Sequence, residues 1–215
     1  MMTNYRQINW DWINKQIKLA KEEYWGCFDF GNYALTEIPN EIFEIDSLCE
    51  LDLSYNLLKY IPTNIFQLTN LSYLILDNNK IETLPKNLTQ LSNLYELYLE
   101  KNELESIPSV IFQLTNLTKL VLSFNRINKL PADISQLKNL ESLDLRGNQL
   151  TKLPEQLFEL TNLKYLFLED NQLEEISHSI CKLTNLEKLT LYNNPIKQIP
   201  NCISQIVDLG KSFFN

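Results

Sequence analysis

The sequence has no run of about 18 apolar residues, the least a helix needs to cross a bilayer, so membrane insertion is not expected. It also lacks a basic excess: 19 Lys and Arg against 27 Asp and Glu leave a net charge of -8. A nucleic-acid footprint needs clustered cations that release condensed counterions on binding. No such stripe occurs, and nucleic acid is not an expected partner. Residues 1–12, MMTNYRQINWDW, are polar and aromatic where a secretory signal needs a continuous apolar stretch and a small-residue cleavage site. The four cysteines, Cys27, Cys49, Cys181 and Cys202, have no paired CxC or CxxC spacing. Both features read as a cytosolic protein with reduced thiols. A single histidine, His178, stands three residues before Cys181, and no further soft ligand converges with the pair in the sequence. No metal and no cofactor is therefore expected.

What the sequence does contain is repetition. Asn56, Asn79, Asn102, Asn125, Asn148, Asn171 and Asn194 recur every 23 residues. Pro39, Pro62, Pro85, Pro108, Pro131, Pro154 and Pro200 keep the same interval, with Ser177 replacing proline once. Between them runs LxxLxLxxN, as in Leu71, Leu74, Leu76 and Asn79, in seven full units. Stepping back one period from Leu51, Leu53 and Asn56 reaches Phe28, Phe30 and Tyr33, an eighth, degenerate unit at the start of the array.

Each fixed position has a physical reason. Alternate side chains of a strand face opposite sides, so the second and third leucines point inward while their neighbours point to solvent. That predicts one short parallel strand per repeat. The asparagine after the strand can satisfy backbone groups of the turn and of the next repeat, forming a ladder whose loss leaves a buried group unsatisfied at about 1–3 kcal/mol. A second apolar set, such as Ile81, Leu84, Leu88 and Leu91, returns along the other side, where Pro85 disfavours a regular helix and predicts extended and 3₁₀ segments. No repeat buries these leucines alone, so stability is roughly a sum of repeat and interface contributions.

The pattern resembles the leucine-rich repeat family, of the 23-residue type found in intracellular and bacterial proteins, over about 85% of the chain, residues 25–208. That resemblance implies an α/β fold: a right-handed solenoid with a curved parallel sheet on its concave face and 3₁₀, extended or short helical segments on its convex side. Residues 1–24 precede the array as a cap. Trp10, Ile13, Ile17, Ala20 and Tyr24 mark one helical face, Tyr5, Ile8, Trp12 and Leu19 a second, and Asn9 is the expected N-cap. A helix before a degenerate first strand is similar to the start of repeat regions attached to Ras-like GTPase domains in bacterial multidomain proteins. At the other end, residues 209–215 begin a ninth unit that stops within a few residues.

Chemistry is sparse. Gly210-Lys211-Ser212 has Gln205 where a phosphate-binding loop needs its first glycine. Asp29 and Asp52 share a strand position in adjacent repeats, about 5 Å apart, but an open sheet gives no desolvation to part their acidities, and they read as a solvated acidic edge. The Asn-Leu-Ser/Thr triplets at Asn70, Asn87 and Asn116 arise from the repeat itself. No catalytic residue is assigned, and the chain reads as a non-enzyme.

Binding residues are instead sought on the concave face. The outward strand positions and those just after the strand gather Tyr73, Ile75, Tyr98, Val121 and Phe124 in one cluster, and Tyr165, Phe167 and Tyr192 in another. Carboxylates at Glu50, Asp52, Asp77, Glu96, Glu100, Glu169 and Asp170 rim them. An apolar centre within a polar rim is the anatomy of a protein interface, with Tyr among the common hot-spot types. The expectation is a protein-interaction module that binds a partner with a basic surface. Two further readings are a bacterial effector acting on a host protein, and the recognition part of a larger protein carrying a GTPase or ubiquitin-ligase domain.

Overall fold

The computed structural model describes residues 9–205, so Tyr5, Ile8, Asp208 and the truncated ninth unit at 209–215, with its Gly210-Lys211-Ser212 tripeptide, lie outside the described residues. A helix, α1 (Trp10–Glu22), leads into eight three-residue strands: β1 (Cys27–Asp29), β2 (Glu50–Asp52), β3 (Tyr73–Ile75), β4 (Glu96–Tyr98), β5 (Lys119–Val121), β6 (Ser142–Asp144), β7 (Tyr165–Phe167) and β8 (Lys188–Thr190). They form one parallel sheet in sequence order, each strand paired with its equivalent one period later. Every strand is followed by a five-residue 3₁₀ turn on the opposite side, from Asn40–Glu44 to Asn201–Gln205. Seven of these turns follow a proline and one, His178–Lys182, follows Ser177, whose hydroxyl accepts a hydrogen bond from Ser179 N–H in place of the ring's constraint.

The core is one continuous column of leucine and isoleucine with Leu51, Leu74, Leu97, Leu120, Leu143, Leu166 and Leu189 fully enclosed at the strand centres. The asparagine ladder forms as the spacing requires. Asn125 is typical: its Oδ1 accepts from Leu104 N–H at 3.1 Å, and its Nδ2 donates to the carbonyls of Leu99, Leu122 and Ser123 at 2.8, 3.0 and 3.3 Å. A second ladder, not foreseen, runs along the outer edge. Asn70, Asn93, Asn116, Asn139, Asn162 and Asn185 each donate Nδ2 to a carbonyl 24 residues earlier, at 2.7–3.0 Å.

The residue before each ladder asparagine adopts left-handed backbone. Tyr55, Asn78, Lys101, Phe124, Asp170 and Asn193 have φ between 50° and 56°, and Gly147 has φ 62°. Six non-glycine residues therefore accept a conformation that costs an L-residue about 1 kcal/mol each, so this turn must be dictated by the strand and ladder bonds around it.

The cap is largely as expected. Asn9 accepts from Trp12 N–H at 3.0 Å, and Ile13, Ile17 and Ala20 are buried against the first repeat. Trp10 and Tyr24, expected on the same face, are exposed. The helix stops at Glu22, and Tyr24 lies beyond it with φ 55°, which carries its ring away from the array. Trp12, expected on the second face, stacks on Tyr33 with ring centres 5.6 Å apart. A helix packs at about 8–10 Å from its neighbour, against about 4.8 Å between strands. The aromatic rings of Phe28, Phe30 and Tyr33, all buried and with Phe30 paired to each of the other two, fill that wider gap where leucines would not reach.

Candidate functional site: the concave sheet face

The two outward columns of the sheet and the residues just after each strand make up the concave surface. Its strand columns read Cys27, Glu50, Tyr73, Glu96, Lys119, Ser142, Tyr165, Lys188 and Asp29, Asp52, Ile75, Tyr98, Val121, Asp144, Phe167, Thr190. Tyr73, Phe124, Tyr165 and Tyr192 are exposed, while Ile75, Tyr98 and Phe167 are half-buried, as are Glu50, Asp52, Asp77, Glu96 and Glu100. The register aligns Ile75, Tyr98 and Val121 on successive strands, so the first cluster is contiguous. β6 contributes Ser142 and Asp144, a polar strip that parts it from Tyr165, Phe167 and Tyr192.

Several expected surface groups are not available. Val121 is only 7% exposed. It is a short side chain placed by the register between the longer Tyr98 on one strand and Asp144 on the next. Ser54, Ser123 and Glu169, just after their strands, are buried too, and the Ser123 hydroxyl has no hydrogen-bond partner. Exposure therefore depends on side-chain length relative to the neighbours as well as on the alternation of the strand.

The polar groups from the fourth repeat onward largely satisfy one another. Arg146 lays a two-pronged fork on Asp144, with Nε at 3.0 Å from both carboxylate oxygens and one terminal nitrogen at 2.5 Å, and its other terminal nitrogen is 3.5 Å from buried Glu169. Thr190 donates its hydroxyl to Glu169 as well. Burial pushes the Asp144 carboxyl up from its ordinary pKa, and the guanidinium opposes that shift. Arg146 and Lys188 flank the Phe167 ring, at 5.4 and 6.0 Å from its centre. Lys119 sits 3.9 Å from Glu96 and 4.8 Å from the centre of the Tyr98 ring. Lys101 pairs with Glu100 at 2.7 Å and lies over Phe124. Tyr98 donates its hydroxyl to Glu96, and burial followed by that bond raises its pKa.

The first three repeats differ. Positions 27–33, 50–56 and 73–79 carry Asp29, Glu50, Asp52 and Asp77 and neither Lys nor Arg. Asp29 and Asp52 serve the backbone. Each turns a carboxylate oxygen to a backbone N–H two residues on, Gly31 and Ser54, at 2.7 Å. Asp144 does the same to Arg146 N–H, so aspartate here tethers the end of its strand. Sequence reasoning missed this role, although Asp-x-Gly and Asp-x-Ser at a strand end are local side-chain turn signals. Asp77 accepts from Glu100 N–H at 2.6 Å, and burial raises its pKa to about 6 against that bond.

The cysteines require a correction. Cys181 and Cys202 are not reduced thiols but a disulfide, with Cα atoms 5.8 Å apart, which joins the last two 3₁₀ turns. Their 21-residue separation differs from the repeat by two, so they do not share a position, yet stacked turns bring the fourth residue of one beside the second of the next. Cys27 and Cys49 are free. His178 is also less isolated than expected, since its Nδ1 lies 3.3 Å from the Cys181 sulfur.

This geometry is that of a leucine-rich-repeat solenoid. The leucine-rich-repeat family model matches residues 31–91, 92–150 and 138–196, and the chain belongs to that family. No curated protein sequence matches it significantly. Among solved structures, it is similar to a leucine-rich-repeat protein of Leptospira interrogans, at 38% identity and TM-score 0.68 over 82% of this chain and 51% of that one. An internalin from Listeria monocytogenes gives 26% identity and TM-score 0.71 over 83% of this chain and 51% of that one. The ectodomain of the Arabidopsis thaliana membrane receptor kinase GASSHO1/SCHENGEN3, solved in complex with Casparian strip integrity factor 2, gives 27% identity and TM-score 0.73 over 96% and 28%. The chain thus spans about half the length of the first two. The fold is commonly a protein-interaction module.

Proposed function

We propose that the chain binds a protein segment carrying Lys or Arg and at least one apolar anchor, laid across the N-terminal half of the concave face. One observation carries this reading: exposed Tyr55 and Tyr73, with half-buried Ile75, stand beside Asp29, Glu50, Asp52 and Asp77 in three repeats whose concave positions carry neither Lys nor Arg, Lys101 of the next repeat adding only the smallest influence on Asp77. The matching carboxylates of the fourth and sixth repeats are already engaged by Lys101, Lys119 and Arg146. A basic segment would supply the missing counter-charge, while the tyrosines offer rigid apolar area at low entropic cost. Eight strands at about 4.8 Å make a sheet roughly 34 Å wide, room for an extended peptide or one helix.

The test is selection of binders from a displayed library of Lys- and Arg-containing peptides, followed by titration of a selected peptide. Tyr73→Ala and Glu50→Lys each weaken binding by about 1–3 kcal/mol, whereas Tyr95→Ala, exposed before β4 and outside the columns, leaves it unchanged. Selected peptides indifferent to both site variants would refute the reading.

A further inference from the structure

Among the described residues, one group of soft ligands converges away from the concave face. His178 and Cys181 lie three apart on the 3₁₀ turn His178–Lys182, and Cys202 lies on the turn stacked beneath it, Asn201–Gln205. A ring nitrogen of His178 and the two sulfurs all lie within 4.8 Å of one another, with His178 exposed and both cysteines half-buried. We propose that reduction of the Cys181–Cys202 disulfide converts this corner into a three-ligand site for a thiophilic divalent cation of the zinc class, which then joins the last two repeats in the disulfide's place.

The geometry suits both states. Zinc bonds of about 2.3 Å to sulfur and 2.0–2.1 Å to imidazole put a tetrahedral S···N edge at about 3.6 Å and an S···S edge at about 3.8 Å. The Nδ1–Sγ separation is already 3.3 Å. The sulfurs must part after reduction, but Cα atoms 5.8 Å apart permit that by side-chain rotation alone. Three protein ligands leave the fourth position to water, and the exposed histidine provides the path by which an ion enters. The chemistry balances with a thiol reductant: two reductant thiols become a disulfide, the Cys181–Cys202 bond breaks, and their two protons pass to the cysteine sulfurs. Metal binding then releases both protons as the thiolates form.

A structural consequence follows from the position. Ile203 on the last described turn is fully buried in the core, and a link between this turn and the one before it bears on how firmly the last described repeat stays docked.

The experiment uses the full chain with Cys27→Ser and Cys49→Ser, which removes the two free, exposed thiols. The reduced protein is titrated anaerobically with Co²⁺, and the expected result is a thiolate-to-cobalt charge-transfer band that saturates at one ion per chain and is displaced by Zn²⁺. The oxidised protein shows no band. His178→Ala keeps both sulfurs and should weaken binding by more than the roughly 10–100-fold that loss of an outer-shell partner costs. Cys202→Ser abolishes the band, and circular dichroism checks that the array remains folded. Absence of the band in the reduced protein, or an affinity unchanged by His178→Ala, overturns the proposal.

Discussion

Replacing Asn125 by Ala tests the inner ladder at the centre of the array, and the structure sets the size of the effect group by group. The side chain is 7% exposed and serves four backbone groups. Two of these keep another partner, because Leu122 C=O also accepts from Asn148 and Ser123 C=O from Lys101 N–H. The other two, Leu104 N–H and Leu99 C=O, lose the side chain that satisfies them. An orphaned buried group costs about 1–3 kcal/mol, so the loss is about 2–6 kcal/mol, and water entering the vacated space moves it to the lower half of that range. Asn162→Ala is the control: its single bond to Lys138 C=O is made at the exposed edge, where water replaces it, and the cost is under about 1 kcal/mol. Urea unfolding should be followed by circular dichroism and by fluorescence of Trp10, Trp12 and Trp25. Those rings all sit at the N-terminal cap, so coincident curves establish that the array unfolds as one unit. If Asn125→Ala costs no more than Asn162→Ala, the ladder is a consequence of the fold and not one of its supports.

Two further perturbations probe the concave face. At Gly147, with φ 62°, an added Cβ would stand 2.4 Å from Phe124 Cδ1. Gly147→Ala should therefore cost about 1–2 kcal/mol, part backbone and part displacement of the ring, and combining it with Phe124→Ala should remove the second part, so strictly additive losses would refute the contact. Asp77 has its folded pKa raised from 3.8 to about 6, so the folded state holds a proton that the unfolded state has lost between those values. Its burial thus lowers stability at neutral pH, and the penalty is relieved as pH falls through about 6 and gone below 3.8. Asp77→Asn, which keeps an acceptor for Glu100 N–H, should be the more stable protein at pH 7, by at most about 3 kcal/mol and less because solvent reaches the half-buried carboxylate. The advantage should vanish by about pH 4 in parallel urea titrations, and a gap independent of pH would refute the assignment.

What was legible in the sequence follows from which forces act at a fixed interval. Leucines at 51, 53 and their successors, the asparagines at 56 onward and the prolines at 62 onward answer to constraints that every repeat shares, so strand positions, register, inner ladder and 3₁₀ turns could be placed from spacing alone. The outer ladder from Asn70 to Asn185 has the same regularity and could have been found by the same argument. Val121 and the disulfide depend on something else. Whether a concave residue is open is decided by its two flanking strands: Val121 is covered where Tyr73, beside Glu50 and Glu96, is exposed. Cys181 and Cys202 meet through the stagger of two stacked turns, at an interval of 21 that the repeat of 23 conceals. The same distinction bears on the binding surface. Acidity counted along the sequence overstates the rim, because Glu96, Glu100, Asp144 and Glu169 have cations beside them, whereas Glu50, Asp52 and Asp77 stand in repeats with no Lys or Arg at the concave positions. For the basic segment proposed above, charge reversal at Glu50 should therefore matter more for capture than the same change at Glu100.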